Sequence, residues 1–124
     1  MKFFALSAAA LVAMTVAASA ASPIKVSTEI GDVLAGSNTY MTLYTFAKDS
    51  EGVSNCYDAC AENWPPHLAE YWDTPKAPFS VIDRKDGKKQ WAKDGMPLYF
   101  WAKDAKKGDT TGDGVGGVWQ AARP

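Results

Sequence analysis

The sequence is short of the residues from which most enzyme sites and nucleic-acid surfaces are built. It has one histidine and two cysteines in 124 residues, leaving few partners for a nucleophile, a general base or a zinc ion. It carries 13 Lys and Arg against 14 Asp and Glu, a formal charge of −1, so it lacks the basic footprint of a nucleic-acid binder. Neither a Gly-x-Ser-x-Gly element nor a Gly-x-x-x-x-Gly-Lys loop occurs, which removes the signatures of α/β-hydrolases and phosphate-binding loops. Beyond the first twenty residues no apolar run is long enough to cross a bilayer.

What is present begins at the N-terminus. Met1-Lys2 is a short positive segment, Phe3 to Val16 an apolar run, and Ala18-Ser19-Ala20 a small-residue cleavage site. Together they read as a secretory signal over 1–20, with a single exported domain over 21–124, periplasmic or extracellular. The first cysteine is Cys56, far from the cleavage point, so no lipid or membrane anchor is expected after cleavage. Loss of Lys2 leaves 12 cationic against 14 acidic residues, a charge of −2.

The domain is a degenerate duplication. Met41-Thr42-Leu43-Tyr44-Thr45-Phe46-Ala47-Lys48-Asp49 matches Met96-Pro97-Leu98-Tyr99-Phe100-Trp101-Ala102-Lys103-Asp104, with six of nine positions identical. Upstream, Gly31 to Leu34 aligns with Gly87 to Gln90, with one residue of length difference before the Met. The period of about fifty-five residues defines two repeats, about 24–66 and 79–122. Alternation in each matched segment predicts strands. Asp94-Gly95 between alternating segments predicts a hairpin. Phe79 to Asp83, Lys88 to Ala92 and Met96 to Trp101 then form a meander. Ile24 to Ile30, Val33-Leu34 and Tyr40 to Phe46 form a weaker one, and Val118 to Ala122 a last strand. The expected fold class is all-β, mainly antiparallel, with one short helix after Ser54 or Asn55. Two pseudo-symmetric repeats would form a sandwich or small barrel.

Three ordered motifs carry a family resemblance. They are Tyr-x-aromatic-x-x-Asp, at Tyr44, Phe46, Asp49 and again at Tyr99, Trp101, Asp104; the Cys56–Pro66 element Cys-x-x-x-Cys-Ala-x-x-Trp-Pro-Pro; and the Gly108–Trp119 ending Gly-Asp-x-x-Gly-x-Gly-x-Gly-Gly-x-Trp. The chain resembles the bacterial secreted-repeat family described as predicted lipoproteins with this Tyr-x-aromatic-x-x-Asp motif. The resemblance implies an exported, mainly β repeat domain and no settled activity.

Each residue that could carry chemistry has a plainer role beside it. Cys56 and Cys60 suit a structural disulfide in an oxidising compartment. A regular helix would hold them too far apart, so a distorted turn is expected. A reactive dithiol or a metal site is the alternative. His67 reads as a loop residue; the competing view joins it with Cys56, Cys60, Met41 and Met96 in a copper site. Asp109 to Gly114 begins like a calcium loop, but Gln120 stands where a bidentate Glu is needed. Asp49 and Asp104 are equivalent by repeat, which favours turn acceptors over an acid–base pair. The Tyr/Trp strand face, with Trp64, His67 and Trp119, is either a second packed layer or a binding surface. The function expected is therefore a non-catalytic exported domain, without cofactor, that binds an envelope protein, a glycan or a small ligand. Redox or copper handling is the alternative.

Overall fold

A computed structural model describes residues 22–124; the expected signal at 1–20 lies outside the described residues. Strand β1 (Ile24–Thr28) places Ile24, Val26 and Thr28 on its half-buried face, and Lys25 and Ser27 in solvent. It turns tightly at Glu29-Ile30 into β2 (Gly31–Ala35), so the turn precedes Gly31-Asp32. Strand β3 (Tyr44–Phe46) follows, then helix α1 (Ala59–Asn63). The second repeat contributes β4 (Phe79–Asp83), β5 (Lys89–Lys93) and β6 (Met96–Pro97), then β7 (Trp119–Ala121). Asp94 and Gly95 both have positive φ, 51° and 83°, the hairpin geometry that Asp-Gly favours.

The second expected meander forms, and the first keeps its hairpin with a single bridge, Ala35 to Thr42, to the segment that follows. β1 pairs with β2, β4–β5–β6 form the second sheet, and β3 pairs with β7, which comes from the other repeat. None of these sheets closes into a barrel. The strand expected over Met96 to Trp101 is cut to Met96–Pro97, with Tyr99 bridging Tyr44 and Pro66 singly. Proline explains the interruption: Pro65 and Pro66 have no N–H to give, so this ladder cannot run unbroken as β3–β7 does.

The backbone bonds reveal a pseudo-twofold axis. Tyr44 and Tyr99 exchange both N–H···O bonds, at 2.7 and 2.9 Å. Around them, Ala47 N–H donates to Val118 O (2.7 Å), as Ala102 N–H does to Asn63 O (2.9 Å). Leu34 N–H donates to Ala122 O (2.8 Å), as Trp91 N–H does to His67 O (2.9 Å). Trp91 is thus the counterpart of Leu34, one residue on from the sequence alignment, because the Lys85–Gly87 turn holds one residue more than Glu29-Ile30.

Both faces of the central strands are buried, which gives a layered, sandwich-like core. One face carries Tyr44, Phe46, Trp64, Tyr99 and Trp119. The other carries Leu34, Leu43, Trp91, Leu98 and Ala122.

Candidate functional site

The repeated motif builds a crossed pair of buried hydrogen bonds. Tyr44 Oη–H donates to Asp104 Oδ2, and Tyr99 Oη–H to Asp49 Oδ2, both at 2.7 Å. Each tyrosine therefore bonds the aspartate of the opposite repeat. The other carboxylate oxygen holds a turn in its own repeat: Asp49 Oδ1 accepts Asn55 N–H (2.7 Å), and Asp104 Oδ1 accepts Thr111 N–H (3.0 Å). The expectation of turn acceptors captures this half of the role. The cross-repeat half was not visible, because sequence spacing does not show which Asp each Tyr meets.

The electrostatics follow from burial. Desolvation pushes the Tyr44 phenol far above its ordinary value, and the Asp104 bond adds to this. Desolvation also raises Tyr99, with Ser54 opposing and Asp49 reinforcing the rise. Both phenols stay protonated and keep donating. Burial raises the Asp49 carboxyl, and this outweighs the bonds from Tyr99 and Asn55 and the charge of Arg84.

Beside these bonds the aromatic rings form a stack through the axis. Trp64 and Trp119 lie 3.8 Å apart between centroids with planes 2° from parallel. Trp101 stacks on Trp64 at 3.9 Å, and Phe46 on Trp119 at 4.2 Å. Tyr44 meets Trp64 edge-on and Tyr99 meets Trp119 likewise, at 5.3 and 5.2 Å. Each ring has its counterpart fifty-five residues away. The Tyr/Trp face is thus a packed layer, not an open binding surface: Trp64 and Trp119 are buried, and Trp101 is half-buried.

The remaining expected residues separate. Cys56 and Cys60 form a disulfide with Cα atoms 5.2 Å apart. Cys56 lies before α1 rather than on it, which removes the spacing conflict of a regular helix. The helix is not capped by Ser54 or Asn55; those residues serve Tyr99 and Asp49 instead. His67 is buried rather than loop-exposed, with its ring 6.2 Å from that of Trp91 and 5.1 Å from that of Phe100. Met96 lies opposite Lys93, and Met41 accepts from Gly36 N–H through its carbonyl. Among the described residues no group of three or more His, Cys, Asp or Glu is placed to hold a metal. In the calcium-like stretch, Asp109 caps Ala105 and Lys106 N–H groups and Asp113 accepts from Ala121 N–H.

Two features escaped sequence reasoning. Arg84 is 5 % exposed and spans Ser54 Oγ (3.2 Å), Gln90 Oε1 (2.9 Å), Cys56 O (3.2 Å) and Asp86, with its guanidinium 4.4 Å from the Tyr57 ring centre. It fastens the disulfide loop to the β4–β5 hairpin. Its one faint signal is that it is an arginine among lysines, the residue type suited to several simultaneous bonds.

The second is a turn between the repeats. Asp73 N–H donates to Glu70 O (3.0 Å) and Asp73 Oδ2 accepts Glu70 N–H (2.7 Å). The closed turn presents Tyr71, 89 % exposed, and Trp72, 46 % exposed, with rings 4.8 Å apart. Leu68 beside it is also exposed.

The chain belongs to the family of secreted repeats of unknown function, whose profile matches it twice, at residues 25–67 and 80–123. The two matches are the two halves of the pseudo-twofold, and the family's description supports export. The aromatic turn falls between them. No curated protein and no solved structure matches the chain.

Proposed function

We propose that this secreted repeat chain is a non-catalytic interaction domain whose contact surface is the Glu70–Asp73 turn with Leu68. The observation that carries this reading is the 89 % exposure of Tyr71 beside a half-exposed Trp72. A pair of large rings on a turn held by two hydrogen bonds is a preorganised contact, and tyrosine and tryptophan dominate such contacts elsewhere. The residues that could have served catalysis are engaged inside the fold. Asp49 and Asp104 are saturated by tyrosine and backbone donors, and both cysteines are joined.

The test is site-specific photo-crosslinking in cells that export the protein. A photoreactive phenylalanine at position 71 is expected to yield an adduct on illumination, whereas one at position 88 yields none. The absence of an adduct at 71, or equal labelling at both positions, overturns the reading.

A further inference from the structure

Residues 69–78 are the only covalent connection between the two halves, because the one disulfide, Cys56–Cys60, lies within the first. Each half pairs its own hairpin, β1–β2 or β4–β5–β6, but its inner strand and aromatic layer are closed by the other. β3 is paired by β7, Tyr44 bonds Asp104, Tyr99 bonds Asp49, and Trp64 stacks between Trp101 and Trp119. A second copy of the chain offers the same donors, acceptors and rings in the same order. Exchange of halves between two copies therefore preserves every one of these contacts, and the change is confined to the connection.

We infer that two copies of this chain exchange repeats, the first repeat of each completing the second repeat of the other. The opened connections then run side by side, and Leu68, Tyr71 and Trp72 are buried between them. This rests on the reading of Leu68, Tyr71 and Trp72 as contact side chains and names their partner as a second copy of the chain; exchange keeps these side chains as the contact and opens the turn that holds them in the monomer. Opening the Glu70–Asp73 turn gives up two exposed hydrogen bonds, worth little net in water. Covering the aromatic side chains from two copies offsets that loss and part of the cost of association. Such exchange is a low-cost route to a dimer, since the interface already exists within one chain. It requires the halves to separate, so folded copies exchange slowly and refolding copies exchange readily.

Shortening the connection forces exchange. Ala69 N–H bonds Lys89 O on one side of β5, while Phe79 pairs with Lys93 on the other. That path runs about 13 Å along the strand and about 10 Å across it. With residues 70–77 deleted, the route from Ala69 through Pro78 to Phe79 reaches about 7 Å. The deleted chain cannot close on itself and must pair with another copy.

The experiment uses the full chain carrying two different tags, denatured together, refolded at high concentration and sized by light scattering. Dimers carrying both tags are expected, whereas mixing folded copies gives none on the same timescale. The deletion variant is expected to be a dimer at every concentration with native aromatic circular dichroism. Wild-type chain that is monomeric at all concentrations overturns exchange, as does a deletion variant that is unfolded or monomeric. The Tyr71→Ser, Trp72→Ser double variant is expected to keep the monomer folded and to weaken the dimer by about tenfold or more. Dimers indifferent to it remove the aromatic turn from the interface and overturn the contact-surface reading while leaving exchange itself. A monomeric chain that still crosslinks another molecule through position 71 overturns exchange alone.

Discussion

Asp49 and Asp104 each accept from a tyrosine of the other repeat and a backbone N–H of their own, and Asp104 also from the Thr111 hydroxyl, so removing either carboxylate takes the acceptor from several donors at once. Asp49→Ala and Asp104→Ala are each expected to lower stability by about 1–3 kcal/mol in urea unfolding, the cost of buried groups left without acceptors. Asp49 also gives a pH dependence. Its folded pKa is raised above the ordinary value of 3.8. Its contribution is therefore fully present below that value and lost as pH rises through the folded pKa. Asp86 and Asp109 are held low, Asp86 by Arg84 and Asp109 by the Ala105 and Lys106 N–H groups. They act in the opposite sense, with stability lost as pH falls. The Asp49 share is isolated by comparison with Asp49→Asn, whose stability relative to wild type is expected to increase on going from pH 4 to pH 7. A constant difference over that range contradicts the assignment. Gly112 tests packing alone: a Cβ there would lie 2.9 Å from Trp64 and from the Tyr44 ring. Gly112→Ala is expected to cost about 1–3 kcal/mol by overpacking, measured by the same unfolding.

At the scale of elements, the stack of Phe46, Trp119, Trp64 and Trp101 is the feature on which both repeats converge. Trp64→Ala and Trp119→Ala are each expected to cost about 3–5 kcal/mol, with loss of near-ultraviolet circular dichroism. Because the rings touch, the double variant should differ from the sum of the singles. The disulfide loop matters less: it encloses a short segment, for which chain entropy gives about 2 kcal/mol. Reduction is expected to lower Tm while the fold persists. Much of this level was legible in the sequence. The duplication, the Asp-Gly hairpin, the short helix and the Cys56–Cys60 bridge all followed from local patterns. What local pattern could not show was the partner of each element. Alternation shows that Tyr44 and Phe46 share a face, yet not that β7 pairs with β3 or that Trp64 enters between the repeats. His67 looked like a loop residue because prolines precede it. Its backbone in fact continues a ladder that those prolines interrupt. Arg84 and the Glu70–Asp73 turn carried too little pattern to be singled out.

At the scale of the molecule, two repeats that resemble each other in sequence are not two independent units. The hydrogen bonds and rings that close the shared layer of one are supplied by the other, and the exposed connection links them. The exposure of Tyr71 provides a direct way to test this interdependence. Chymotrypsin should nick the folded monomer after Tyr71 or Trp72, the accessible aromatic residues of its connection. Size-exclusion chromatography of the nicked protein is expected to show both halves eluting together, parting only in denaturant. Halves that separate under native conditions, each retaining its own structure, would contradict the account.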